Sequence, residues 1–237
     1  MRHTENFTVK FHETDLNKRV SPSKALMLMQ ECANMQMEKY GPSLGTLMQQ
    51  GMIFVVSRHM MNFYLPIYEY DKITVEAWTC PSHGYTFRRN LQILKDGKLA
   101  ADTSSLWALY DTNEEKLVRV DNLKYNFDHD EQIFADPPQR IKPTCDFISV
   151  GKRKIVYSDV DCNRHMNNTK YPDMLCDYID GIENMTVKQC YIYYVHEAPL
   201  HEVLDINISH AENDNHYYFK TIKQNGEVNA QAFITVQ

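Results

Sequence analysis

Two stretches of the chain show the same succession of hydrophobic and polar positions. In each, a short apolar run (residues 7–11 and 154–157) predicts a strand, which leads through a polar loop to a helical pattern. Runs rich in β-branched and aromatic residues follow, joined by turns such as Asp96-Gly97 and Asn225-Gly226 that favour hairpins. One strand, one long helix and an antiparallel meander, occurring twice, predict an α+β fold in which each sheet packs on one helix.

Terminal signals and apolar spacing define the two helices. In the first, Ser21 is the expected N-cap, Pro22 fits the first helical position and Gly41 ends the helix. In the second, Asn167 or Asn168 is expected to cap. Its buried stripe follows the i, i+3, i+4, i+7, i+8 spacing and comprises Tyr171, Met174, Leu175, Tyr178 and Ile179.

The two stretches also match residue by residue. At a fixed offset of 146 (161 − 15), Asp15 aligns with Asp161 and Asn17 with Asn163, and several apolar positions coincide as well. Two copies of one structural unit are therefore predicted.

A charged segment that contains prolines and lacks periodicity separates the copies. It covers residues 114–148, with a strand expected near 123–127. We predict an N-terminal domain over 1–128, a linker over 129–148 and a C-terminal domain over 149–237.

Composition narrows the classes of function. The hydrophobic fraction of 43% and the charged fraction of 24% are ordinary for a globular protein, and the net charge of −6 argues against a general affinity for nucleic acid. No stretch reaches the roughly 18 apolar residues of a membrane span, and the first residues do not resemble a signal or transit peptide, so a cytoplasmic location is expected. The six cysteines are scattered, which favours free thiols over disulfides or a zinc site; no metal and no cofactor are expected.

The loop before the second helix carries the best candidates for chemistry. Asp161, Asn163 and His165 alternate there, followed by Asn167 and Asn168. A carboxylate, an amide and an imidazole beside a helix N-terminus suit acyl transfer, which needs a base, an orienting group and oxyanion donors. A purely structural interpretation stays open, with capping asparagines, an Asx-turn at Asp161 and a loop histidine.

The comparison between copies favours the second as the catalytic one. Arg19 stands in the first copy where the second has His165. Because arginine stays protonated, it cannot act as a base.

These motifs resemble those of a known enzyme family. The run SDVDCNRHMNNTKY resembles the D-x-N-x-H-x-N-N-x-x-Y signature of fatty acyl-ACP thioesterases from plants and bacteria. In the first half, VVSRHMMNFYLPIYEYDKITVEAW, YTFRRNLQIL and DGKLAADTSSLWALYD follow the pattern of the same family. The resemblance implies a tandem (double) hot-dog fold, in which each curved sheet wraps one long helix, and a hydrolase of fatty acid biosynthesis.

The resemblance also assigns residues. Asp161, Asn163 and His165 match the catalytic triplet, and Glu197 matches an acidic residue that completes the site. Ala198 stands where plant enzymes often have cysteine, which argues against a Cys–His nucleophile. Water attack assisted by a carboxylate and histidine is the favoured mechanism. Direct attack by the carboxylate of Asp161 stays open.

The implied partner is acyl carrier protein, which is small and acidic and presents the thioester on a phosphopantetheine arm. Arg88-Arg89 and the cluster that includes Lys152 and Arg153 are candidate docking residues, together with Asn167 and Asn168 in the loop. Solvated strand edges are the alternative interpretation for the basic residues. The acyl chain is expected to bind in the N-terminal domain, where methionines and aromatics are frequent. The sequence does not indicate the preferred length of the acyl chain.

Other functions remain in competition. A hot-dog acyl-CoA thioesterase would use similar chemistry, and a non-catalytic acyl-binding protein would not need the catalytic set. A dehydratase signature is missing. A homodimer stays open.

Overall fold

The chain forms two compact units in a computed structural model that describes residues 2–119, 121, 130, 145–210 and 215–237. The first unit consists of Met1–Val20 and Lys24–Pro137, and the second of Ser21–Ser23 and Pro138–Gln237. None of the helices within these described ranges has the length and apolar character needed to cross a membrane.

The first unit is an antiparallel sheet with one long helix. Its strands pair in the order β1-β3-β4-β5-β2, with β6 beside β5. The elements are β1 (His3–Thr8), α1 (Pro22–Tyr40), α2 (Leu44–Gln49), β2 (Met52–Phe63), β3 (Lys72–His83), β4 (Thr86–Lys95), β5 (Lys98–Asp111) and β6 (Lys116–Val118).

Helix α1 buries one face on this sheet. The helix begins at Pro22 and ends at Tyr40, directly before Gly41, as predicted. Its apolar residues recur at helical spacing, so they form a single stripe against strands β3, β4 and β5. The helix residues of this core cluster are Ala25, Leu28, Met29, Cys32 and Ala33.

The second unit repeats the first. Its strands pair in the order β8-β11-β10-β9-β7, which is the order of β2-β5-β4-β3-β1 in the first unit. This agreement confirms the predicted repeat. The elements are β7 (Ile148–Lys154), α3 (Tyr171–Cys176), β8 (Val187–Tyr194), β9 (Val203–Ser209), β10 (His216–Ile222) and β11 (Val228–Val236).

The first strand of each unit lies earlier in the chain than predicted. The apolar runs at 7–11 and 154–157 mark the ends of β1 and β7 instead of their centres. Val9 and Ile155 are fully buried but follow the strands. Each of these buried residues continues the alternation of buried and exposed positions beyond the end of its strand. The sequence pattern therefore placed both strands too far along the chain.

The helix of the second unit is shorter than predicted. A 3-10 helix (Asn168–Lys170) leads into the six residues of α3. Pro172 lies in the first turn of α3, where its missing N–H is tolerated. Most of the predicted stripe is buried, and Tyr178 is half-buried.

Sheet structure continues into the charged segment that begins at residue 114. Strand β6 pairs with β5 across a turn in which the Asp111 carboxylate accepts hydrogen bonds from the N–H groups of Asn113 and Glu114. This short strand lies in the charged segment 114–148, where the lack of periodicity did not reveal it. The strand expected at 123–127 lies outside the described residues, and the domain limits stay predictions.

Both predicted hairpin turns are confirmed. Asp96 and Gly97 join β4 to β5 with φ of 50° and 72°, the left-handed pair that a two-residue type I′ turn requires. Asn225 and Gly226 lie between β10 and β11, and Gly226 has a φ of 87°.

One carboxylate is buried inside the first unit. Asp102 on β5 is 1% exposed, and its oxygens accept hydrogen bonds from Asn62 Nδ2 at 2.9 Å and Tyr64 Oη at 3.0 Å. Burial nevertheless raises the pKa of Asp102 above its ordinary value of 3.8, since desolvation outweighs the two hydrogen bonds.

We expect this carboxylate to make stability depend on pH. Between 3.8 and the raised pKa, the folded state binds more protons than the unfolded chain, so Asp102 contributes less stability as the pH rises through that window. Asp102→Asn should remove this pH dependence, because asparagine does not ionise. Urea unfolding at several pH values measures the free energy of unfolding of both proteins. Across this window, the value for the variant should rise relative to that of the wild type by up to about 1.4 kcal/mol per pH unit. If the difference in the free energy of unfolding stayed constant with pH, the raised pKa of Asp102 would be contradicted. The control is Glu38→Gln, which changes a carboxylate on the exposed surface of α1.

Candidate active site

The side chain of Asp161 stabilises the conformation of the loop from Asp161 to His165. Asp161 Oδ1 accepts a hydrogen bond from Asn163 N at 2.9 Å, which closes an Asx-turn. Main-chain bonds from Asp161 N to His165 O (3.2 Å) and from Arg164 N to Asp161 O (3.0 Å) complete the loop. Arg164 adopts a left-handed φ of 67° at the reversal. The side chain of Asn163 is exposed.

Asn167 joins this carboxylate to the helix that follows. Its Nδ2 donates to Asp161 Oδ2 at 3.0 Å. Its Oδ1 accepts from Thr169 N at 2.9 Å, so Asn167 is the N-cap of the 3-10 helix. This confirms one of the two predicted capping residues. Asn168 contributes its main-chain oxygen, which accepts from Tyr194 Oη at 2.9 Å.

The segment after β8 brings Glu197 to His165. Met166 N donates to Ala198 O at 2.8 Å, and His165 forms an isolated bridge with Pro199. Nε2 of His165 is in contact with Oε2 of Glu197, forming an acid–base pair. The side chains are 35% and 65% exposed, so the pair is open to solvent.

The first unit contains the same loop without this pair. Asp15 Oδ1 accepts from Asn17 N at 2.8 Å, and Lys18 has a φ of 62°. The counterpart of His165 is Arg19, whose Nε lies 3.6 Å from Asp15 Oδ2. Pro66 occupies the position of Glu197, because Ile67 O accepts the hydrogen bond of the following loop residue just as Ala198 O does. Of these two described loops, the one in the second unit therefore combines an imidazole with a carboxylate, and the one in the first unit does not.

Family models match nearly the whole chain. The model of the acyl-ACP thioesterase N-terminal domain matches residues 1–124, and that of the acyl-ACP thioesterase C-terminal domain matches 149–237. The chain belongs to the acyl-ACP thioesterase family. It is therefore a thioester hydrolase that acts on acyl-ACP, as the motifs predicted.

Solved structures agree with the thioesterase in fold. An acyl-ACP thioesterase from Bacteroides thetaiotaomicron is 22% identical with a TM-score of 0.88, covering 100% of this chain and 98% of its own. A 12:0-ACP thioesterase from Umbellularia californica is 17% identical with a TM-score of 0.77, covering 100% and 97%. The predicted double hot-dog fold is confirmed. No curated protein matches the chain.

The thioesterase has a further anchoring acid that the sequence analysis missed. Asp159 is buried; it accepts from Arg153 Nη2 at 2.8 Å and from Val156 N at 2.9 Å, and its main-chain oxygen accepts from Asn167 N at 2.9 Å. It thereby connects the end of β7 to Asn167, the residue that caps the 3-10 helix. Glu13 stands at the same offset of 146 (159 − 13), and this second acidic match could have identified it.

The predicted docking residues lie in different environments. Arg89 donates from Nη2 to Ala33 O at 2.9 Å in α1, and burial lowers the pKa of its guanidinium to about 10. Arg153 binds Asp159, whereas Lys152 is exposed and Arg88 is half-buried. Arg89 and Arg153 thus have internal contacts in the thioesterase, and docking stays a prediction for all four.

The thiols of the thioesterase offer little support for a cysteine nucleophile. Cys190 is fully buried, and desolvation raises its pKa well above 9.0, so it stays protonated. Cys162 is exposed on the loop, and Ala198 is buried. Among the described residues, no group of three histidine, cysteine, aspartate or glutamate side chains is placed to hold a metal ion.

Proposed function

We propose that this enzyme hydrolyses fatty acyl-ACP by attack of a water molecule activated by His165 and Glu197. The contact between His165 Nε2 and Glu197 Oε2 carries the proposal. It joins an imidazole to a carboxylate, the combination that general acid–base catalysis uses, and it has no equivalent in the matching loop around Arg19.

The reaction follows from the properties of these groups. Water attacks the thioester carbonyl carbon while the acid–base pair takes up its proton. The tetrahedral intermediate then expels the pantetheine thiolate, the carbon–sulfur bond breaks, and the protonated pair returns the proton to sulfur. The thiolate leaves readily, so the step needs no metal and no cofactor.

Asp161 has a positioning role in this proposal. Its two oxygens each accept a hydrogen bond from the loop, one from Asn163 N and one from Asn167 Nδ2. Each bond lowers the electron density available for attack on carbon, which supports water as the nucleophile. The exposed amide of Asn163 is the proposed donor to the carbonyl oxygen.

We also propose how the enzyme binds acyl carrier protein, what each domain does and where the enzyme is located. Exposed Lys152 on β7 and half-buried Arg88 on β4 are the better placed of the proposed contacts to acidic acyl carrier protein. The N-terminal domain, taken as 1–128, is proposed to hold the acyl chain, and the C-terminal domain, 149–237, to hold the chemistry. A cytoplasmic location and a homodimer complete the proposal.

A substrate panel with a matched pair of variants tests this function. Acyl-ACP and acyl-CoA thioesters of several chain lengths are assayed for thiol release with wild type, Asp161→Ala and Asp15→Ala. We expect preference for the carrier-linked substrates and a loss of about 10²- to 10⁴-fold in kcat for Asp161→Ala. Asp15→Ala removes the same loop contact from the first unit and should keep most activity.

Two outcomes would contradict the proposal. Equal turnover of acyl-CoA would identify an acyl-CoA thioesterase. Acyl binding without hydrolysis of either class would identify a non-catalytic binding protein.

A further inference from the structure

One buried asparagine anchors the segment that carries Glu197. Asn229 on β11 is 1% exposed, and its main-chain oxygen accepts hydrogen bonds from Val195 N (2.9 Å) and His196 N (3.0 Å). Its side-chain Nδ2 also donates to His196 O at 2.5 Å. Asn229 thus holds the two residues before Glu197 by both main-chain and side-chain atoms.

The same amide reaches the helix after the catalytic loop. Asn229 Nδ2 donates to Tyr171 Oη at 3.1 Å, and its Oδ1 accepts from Thr221 Oγ1 at 2.8 Å and from Tyr171 Oη at 3.2 Å. Tyr171 is the first residue of α3, four positions after the N-cap Asn167 (171 − 167). The amide therefore links the segment of the carboxylate to the loop of the imidazole.

A second tyrosine strengthens this link. Tyr194, at the end of β8, donates from Oη to Asn168 O at 2.9 Å. The rings of Tyr171 and Tyr194 pack edge to face with centroids 5.2 Å apart.

The first unit makes the corresponding main-chain bonds without an amide. Ala100 O accepts from Tyr64 N at 2.8 Å and from Leu65 N at 3.1 Å. Ala100 occupies the register irregularity between β4 and β5, as Asn229 does between β10 and β11. The backbone arrangement is therefore a property of the fold and does not require the asparagine.

The other members of the network are also replaced by apolar residues in the first unit. All of the counterparts lack a hydroxyl, and they belong to or pack against its hydrophobic core cluster. In the order Tyr171, Thr221 and Tyr194, the counterparts are Ala25, Ile93 and Phe63.

A buried polar network is costly unless each group is paired, and a fold that forms without it has no structural need for it. We infer that Asn229, supported by Tyr171 and Thr221, is a positioning residue that holds Glu197 in contact with His165. This inference rests on the proposed function, because it concerns the geometry of the same acid–base pair. Misplacement of a catalytic group by about 1 Å can lower a rate by roughly 10²-fold.

The test begins with Asn229→Ala, the residue that the first unit carries at this position. We expect kcat for acyl-ACP to fall by about 10- to 100-fold while KM changes little, since the substrate contacts remain. The double variant Tyr171→Phe, Asn229→Ala also removes the Tyr171 hydroxyl, which bonds to the side chain of Asn229, while Thr221 keeps its bonds with Ala230. It should recover part of the stability lost in Asn229→Ala but not the kcat.

A stability control separates structure from positioning. Ser209→Ala removes a buried hydroxyl that bonds to the main chain of Cys145, away from the acid–base pair. It should lower the unfolding midpoint and leave kcat within about twofold. If kcat followed stability across all of these variants, or if folded Asn229→Ala kept the wild-type kcat, the inference would be wrong.

A spectroscopic readout distinguishes this failure from failure of the proposed function. The ring ¹⁵N chemical shifts of His165 report its contact with Glu197 in the absence of substrate. We expect Asn229→Ala to move them in the same direction as Glu197→Gln. A wild type inactive on acyl-ACP would refute the function, whereas unchanged shifts in Asn229→Ala would refute only the positioning role.

Discussion

Replacing His165 by alanine should lower kcat for acyl-ACP hydrolysis by about 10²- to 10⁴-fold and leave the fold intact. In the proposed mechanism the imidazole takes a proton from water and returns it to the leaving thiolate, and the change removes this group. Folding should persist because the side chain is 35% exposed and the loop is closed by main-chain bonds and by Asp161. Thiol release under saturating acyl-ACP measures kcat, and thermal unfolding measures the fold.

The matched control for this variant is Arg19→Ala. Arg19 occupies the corresponding position of an equivalent loop, where it pairs with Asp15. The side chains of this pair are 20% and 32% exposed. The change should therefore cost about 1 kcal/mol of stability and keep most activity. Comparable losses of kcat in both variants would mean that the loop as such, and not the imidazole, is required.

Replacing Glu197 by glutamine should lower kcat by about 10²- to 10³-fold with little change in KM. Glutamine preserves the size of the side chain and can still contact His165, but it cannot accept a proton. Single-turnover hydrolysis gives the rate of the chemical step, and a steady-state series gives KM. Glu202→Gln, which alters a partly buried acid five residues further on, is the control for a change of charge.

The Glu197→Gln variant also discriminates between water attack and a covalent route. If Asp161 attacked the thioester directly, the slowed enzyme would release one equivalent of thiol in a burst and accumulate an acyl group on Asp161. Mass spectrometry of the quenched enzyme detects such an adduct. We expect no burst and no adduct.

Much of the site could be predicted because it is local in sequence. Asp161, Asn163 and His165 lie within one loop, and the fixed offset of 146 exposed the repeat and the exchange of His165 for Arg19. The turn at Asp161 and the cap at Asn167 then follow from side-chain chemistry over two to six residues.

The rest depends on pairing between distant segments. Glu197 corresponds to Pro66 at an offset of 131 (197 − 66), and Asn229 to Ala100 at 129 (229 − 100), because the segments between the elements differ in length. A comparison at one offset therefore could not find the buried network. Tyr171 and Asn229 are 58 residues apart and meet only when β11 pairs with β8 beside α3.

The loop shared by the two units indicates how the tandem arrangement evolved. Both loops keep an aspartate as acceptor and a basic residue, Lys18 or Arg164, in a left-handed conformation that such residues seldom adopt. Because two independent loops would have to acquire the same uncommon features, we infer that the loop is older than the duplication that gave two units. The two units then differ in what the loop carries: an arginine in the first, and an imidazole in contact with a carboxylate in the second.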